Sequence, residues 1–196
     1  KAAEAGIERA PLADVDLSTG NQVYSEVRAL KVGLSFAIGG VKNHEIYFEH
    51  LGGEGGDPSG PMADLIERDF GSATDWRDDL KATGMAGRGW AWTAYDWDEG
   101  RLYNYIGDTQ NTFPIWNATP LVALDVYEHA YHMDHGAATK VYLDAFLANV
   151  RWDEVERRIG IAGCRLHRSR FALHVHQHQS HAMPRDNTQR SGIARE

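Results

Sequence analysis

The stretch DVYEHAYHMDH, residues 125–135, holds three histidines and three acids in eleven positions. Asp125 closes the apolar run TPLVALD, and His129 follows four residues later, where the chain turns from strand towards helix. A strand end holds its side chains rigidly, and a four-residue step over a turn brings carboxylate and imidazole to one point. That donor pair suits Zn, Fe or Mn. The plainer alternative is that Asp125 caps the next helix and His129 is a hydrogen-bonded buried histidine. It leaves unexplained an acid ending a strongly apolar run, where a buried charge is expensive unless paired or ligated.

His44, in KNHEIYFEH, is a second candidate ligand, with a satisfied core histidine as its plain alternative. The zinc motif H-E-x-x-H is absent, because position 48 is Phe. His44 and Phe48 share a helix face with Gly40 and Val41, and that face is expected to pack inward. His50 falls on another face and is expected at the surface or an interface. A zinc hydrolase built on His129, His132 and His135 is a further reading. Steps of three along one helix make its ends diverge, so it ranks last.

These residues need elements to hold them. Val23, Val27, Leu30, Leu34 and Ile38 recur at three- and four-residue steps, which predicts a helix from Asn21 to about Leu51 with one buried stripe. GGEGGDPSG stops it. A short helix follows, with Ser59 as N-cap, Pro61 in its first turn and Gly71 past its end. Ser72 caps another. GWAWTAYDWDEGRLYNYIGD reads as a hairpin turning at DWDEG, and TPLVALDVY as a buried strand. EHAYHMDHGAATKVYLDAFLANV returns to helical character, and RWDEVERRI is a last helix. The fold class is α+β: an N-terminal helical segment, then a domain with a small three-stranded antiparallel sheet and flanking helices. The expected division is 1–52, an incomplete helical hairpin; 53–159, the metal-binding part; and 160–196, a disordered His/Arg-rich tail.

The chain has 196 residues, and its 42% hydrophobic content with six tryptophans is enough for a core. Its one cysteine, Cys164, excludes an intramolecular disulfide and fits a reducing compartment. The net charge is −8. Residues 1–159 hold 14 Lys+Arg against 26 Asp+Glu, and residues 160–196 hold 6 against 2 with five of the ten histidines. This balance argues against nucleic acid and anionic membranes as partners. There is no run of about 18 apolar residues and no signal-peptide pattern at the start, so the cytoplasm is the expected location.

DVYEHAYHMDH resembles the D-V-W-E-H-A-Y-Y-x-D-Y signature of the iron/manganese superoxide dismutases. NHEIYFEHLGGEGGDPSG, GMAGRGWAWTAY, TPLVALD and VYLDAFLANVRWDEVERR resemble further stretches of that family in the right order, over residues 23–159. The resemblance implies conversion of superoxide to O₂ and H₂O₂ by redox cycling of one Mn or Fe ion per chain. It implies His44, Asp125 and His129 as metal ligands, with solvent completing the shell. Glu128 matches a glutamate that bonds the neighbouring subunit's ligand histidine, so a homodimer or tetramer is expected. Trp90 matches a tryptophan walling the pocket, Trp92 its companion, and Arg158 an arginine near the substrate funnel. Gln110 matches the glutamine that tunes the metal in manganese-type members, with glycine at the position of Gly40, so Mn is favoured over Fe.

Three features depart from the family. No histidine precedes His44, so the segment carrying the first ligand histidine has no match; the expectation is an incomplete N-terminus rather than a decayed site. Tyr127 replaces the signature Trp. His132 and His135 replace tyrosines. The competing function is a non-enzymatic relative, or an inactive fragment, that keeps the fold without the chemistry.

Overall fold

The computed structural model describes residues 15–112 and 116–160. The expected tail, with Cys164 and its alternating histidines, lies outside the described residues. The elements are helices α1 (Glu26–Glu49), α2 (Gly60–Phe70) and α3 (Ala73–Ala86), strands β1 (Trp90–Asp96), β2 (Arg101–Gly107) and β3 (Ala118–Asp125), a helical turn α4 (His132–His135), helix α5 (Thr139–Leu147) and a closing helix α6 over 152–160. This is the α+β class expected.

The sheet is antiparallel in the order β2-β1-β3. β1 is almost wholly buried. Its turn into β2 is closed by Gly100, which sits at φ +68° and donates its N–H to the Asp96 carbonyl at 2.8 Å. Trp90 stands opposite Gly107 on one side and Asp125 on the other. Alternation along β1 sends Thr93 to the face covered by α3, where its hydroxyl accepts from Trp76 Nε1 at 3.0 Å. Trp90 and Trp92 lie on the opposite face, with ring centroids 5.2 Å apart. Tyr47 of α1 meets the Trp90 ring there at 6.2 Å.

Helix starts follow local chemistry. Ser72 accepts from the Asp75 N–H at 3.0 Å. Ser59 occupies the N-cap of α2 but makes no capping bond; its hydroxyl turns to Glu156 instead. α1 begins at Glu26, not Asn21, because Ser25 accepts from Arg28 N–H and Asn21 folds back on residues 23 and 24.

Four expectations need correction. The α1 stripe is not buried along its length: Val23, Leu34 and Ile38 are exposed, and burial is confined to Gly39, Asn43 and Tyr47. In the amino-terminal part of α1, Val27 and Leu30 are only half-buried, and no residue before Gly39 is fully buried. Phe48 does not pack inward and is 67% exposed. His50 is not at the surface; it is fully buried. The segment after Asp125 is not one helix. It makes a 3-10 turn at Glu128–Ala130, then α4, then breaks at Gly136 with φ +55° before α5. Among the described residues no helix is long and apolar enough to cross a membrane.

Candidate metal centre

Asp125 ends β3 and is 1% exposed. Its Oδ1 accepts the Tyr127 N–H at 3.0 Å, which ties the side chain to the turn that follows. Oδ2 is left facing two histidines. His44 Nε2 lies 3.3 Å from it and His129 Nε2 lies 3.1 Å from it. The three donor atoms all fall within 4.8 Å of one another, and no other such set occurs among the described residues. Three elements therefore converge: α1 supplies His44, β3 supplies Asp125, and the 3-10 turn supplies His129.

The tautomer of His44 can be read from its partner. Nδ1 sits 2.6 Å from the Gly40 carbonyl, which can only accept, so Nδ1 carries the hydrogen. In the neutral ring, Nε2 then presents a lone pair to a carboxylate oxygen. Two lone pairs at 3.3 Å repel unless a proton or a cation lies between them. Burial pushes the Asp125 carboxyl above its ordinary value, against the Tyr127 N–H and the two imidazoles. A buried acid whose free oxygen meets an imidazole lone pair fits a cation site. Two imidazoles and a carboxylate suit Mn, Fe or Zn. The alternative zinc set does not form: His132 is exposed, and His135 lies against the Tyr142 ring at 6.1 Å.

Gln110 is buried beside this cluster. Its Oε1 accepts from Trp90 Nε1 at 3.0 Å, and Asn43 Nδ2 donates to its backbone carbonyl at 3.1 Å. The Trp90 ring stands edge-on to His44 at 5.1 Å. Tyr127 stacks on His129 at 5.2 Å, so the aromatic wall persists with Tyr in place of Trp. A Cβ at Gly40 would touch Gln110 Cδ and Cγ at 3.7 Å, so position 40 and the Gln110 amide share one space. Glu128 is exposed and pairs with no described residue. Arg158 is not a free positive charge, since it is held by Glu49 and Glu154.

Several residues here were not foreseen. Tyr142 donates its hydroxyl to the Asp125 carbonyl at 2.7 Å, and its oxygen is 3.1 Å from Tyr47 Oη. Burial raises both phenols above their ordinary value, which keeps them protonated. His50 caps β3 from behind: its Nε2 accepts the Ala123 N–H at 2.8 Å. A signal existed for part of this. Gly40, Asn43, Tyr47 and His50 follow at steps of three, four and three, a second stripe of α1 that carries polar groups.

Residues 58–158 match the family model described as iron/manganese superoxide dismutases, C-terminal domain. Superoxide dismutase [Fe] of Aquifex pyrophilus is 42% identical over 145 residues, which cover 73% of this chain and 68% of that protein. Superoxide dismutase [Fe] of Cupriavidus metallidurans is 39% identical over 157 residues, 78% of this chain and 77% of that protein. Superoxide dismutase [Mn] 1 of Halobacterium salinarum is 39% identical over 116 residues, 59% of this chain and 58% of that protein.

Proposed function

This chain belongs to the iron/manganese superoxide dismutase family, and we propose that His44, Asp125 and His129 are its ligands to the one Mn or Fe ion on which superoxide dismutation depends. The observation that carries this assignment is the approach of both Nε2 atoms to Asp125 Oδ2 at 3.3 and 3.1 Å. When bound, the ion supplies one-electron chemistry: two superoxides and two protons become one O₂ and one H₂O₂.

The chain's own residues set the conditions for that chemistry. Asp125 brings a negative charge that lowers the site's net charge and favours the higher oxidation state of a bound cation. The Gly40 carbonyl orients the His44 ring and fixes its tautomer. Trp90 and Tyr127 wall the site with aromatic surface and restrict water, and Trp92 stacks on Trp90. Gln110 has its oxygen occupied by Trp90, which leaves its NH₂ as the group able to donate.

The choice of Mn over Fe rests on Gly40. Glycine there leaves room for an amide from residue 110, the arrangement the resemblance associates with manganese. Relatives named for each metal are similar to this chain. Glu128, exposed beside His129, is our candidate for a bond to a ligand histidine of a second copy, which makes a homodimer the expected assembly. A relative that kept the fold without chemistry would have no need of a buried Asp125 aimed at two imidazoles.

The test is metal content and superoxide decay on the same tag-free preparation. About one Mn plus Fe per chain, with catalysed decay that chelation abolishes, is expected. Negligible binding of both metals after reloading would overturn the ligand assignment.

A further inference from the structure

β3 is an edge strand, yet two of its outward backbone groups near the site are taken by side chains. The outward Ala123 N–H is taken by His50 Nε2 at 2.8 Å, and the outward Asp125 carbonyl by the Tyr142 hydroxyl at 2.7 Å. His50 also closes α1 as its C-cap, and its own carbonyl accepts the Arg151 N–H at 2.8 Å. One residue thus joins α1, β3 and the start of α6.

Consider what this bond spans. His44 and His50 are six residues apart on one helix, a rise of about 9 Å. Ala123 and Asp125 are two residues apart on one strand, about 7 Å. Helix and strand are rigid rails, and they are bridged twice. One bridge is His50–Ala123 at 2.8 Å; the other is the His44 Nε2 to Asp125 Oδ2 approach at 3.3 Å. Fixing the first constrains the second.

Packing alone does not account for a histidine at this place. The ring lies against Phe146 at 5.7 Å and Tyr47 at 6.3 Å, contacts with aromatic rings that a leucine would also make. Because Nε2 accepts, Nδ1 must carry the hydrogen, and it has no partner among the described residues. An unsatisfied buried donor is unfavourable. The acceptor bond to β3 is what the imidazole adds.

We propose that His50 is a positioning residue for the metal centre: by accepting the Ala123 N–H it sets the spacing of α1 from β3, and with it the separation of His44 from Asp125. This rests on the ligand assignment above. Metal–ligand distances hold to within about 0.2 Å of their ordinary values, so the spacing of the donors matters.

The test compares full-length wild type, His50→Leu and His50→Gln, as metal-free crystals and by chelator competition for Mn and Fe. In His50→Leu the His44–Asp125 separation is expected to shift by more than about 0.5 Å, and metal affinity to fall about 10–100-fold. His50→Gln, whose amide oxygen can take the place of Nε2, is expected to restore both. An unchanged separation and affinity in His50→Leu would overturn the proposal, as would a His50→Gln protein as impaired as His50→Leu. Should His50→Leu not fold, His50→Met carries the same comparison, since an unbranched side chain fits irregular space. A wild type that binds neither metal counts against the ligand assignment, while the spacing in metal-free crystals still decides the role of His50.

Discussion

Gln110 Oε1 accepts a hydrogen bond from the indole N–H of Trp90 at 3.0 Å, with both side chains buried. One loop residue therefore satisfies the buried indole N–H at the start of β1, while its carboxamide shares the space beside Gly40. Gln110→Leu removes the acceptor and strands the indole N–H. We expect a loss of about 1–3 kcal/mol in urea unfolding, and a dismutase rate that falls further than the fraction of folded protein. An unchanged rate in a folded variant would show that Gln110 serves the fold alone. The exchange Gly40→Gln with Gln110→Gly, which moves the amide across the shared space, should alter the ratio of Mn- to Fe-supported activity.

Asp125→Asn separates metal binding from folding. The amide can donate to the His44 Nε2 lone pair, which the carboxylate cannot. Metal affinity should drop by more than about 100-fold, beyond what loss of an outer partner causes. The metal-free variant should nonetheless be more stable than metal-free wild type by about 1 kcal/mol in urea unfolding. A metal-free variant less stable than wild type would mean that a proton, not repulsion, occupies the empty site.

His50 gives stability a pH dependence of its own. Burial first, and the Arg158 guanidinium second, hold its imidazole down at about 4 against an ordinary 6.5, while Glu154 pulls weakly the other way. The folded state keeps this ring neutral and the unfolded state protonates it below about 6.5. Stability from this group is complete above about 6.5 and is lost as pH falls towards 4, by about 3 kcal/mol in all. His50→Gln has no such titration. Urea unfolding of the two proteins across that range should show a difference that narrows as pH falls; parallel curves would remove His50 as the source.

Gly39 is a steric necessity. A Cβ there would lie 1.9 Å from the Gln110 carbonyl oxygen, a backbone atom that cannot swing aside. Gly39→Ala should cost about 3 kcal/mol or more and displace Gln110. Chemical unfolding and the dismutase rate would both register it. Gly33→Ala, with nothing within 4 Å of its Cβ, is the matched control and should be neutral or slightly stabilising.

The parts of this molecule that were legible in advance are those whose signal is local. Ser72 and Asp75 announce a helix start because the bond lies within four residues. Asp125 and His129 declare themselves because a strand end and one turn suffice to bring them together. The hairpin at Gly100 follows from turn chemistry. His44 stood out only as a candidate beside the plain reading of a core histidine, and its pairing with Asp125 needed the family resemblance, since nothing near it in the chain says that β3 will lie alongside. His50 was misplaced for the same reason: its partner is a backbone N–H on an edge strand, which has no side-chain signature. Periodicity along Val23–Ile38 reports an apolar stripe but not what lies over it, so burial there could not be inferred. Tyr47 and Tyr142 meet across 95 residues and only in three dimensions.

The placement of the ligands has a consequence for the order of assembly. Asp125 and His129 are joined by a single turn and can come together within the local β3–turn unit. His44 arrives from far upstream, on a helix whose docking is completed by a bond spanning 73 residues, from His50 to Ala123. Closing so long a loop is slow relative to forming the turn. A partial site of one carboxylate and one imidazole should therefore exist before α1 docks, able to hold a divalent ion loosely and without selectivity. Whichever ion is present when α1 closes over it would be kinetically retained, so metal identity in this chain would be decided by supply during folding as much as by affinity afterwards.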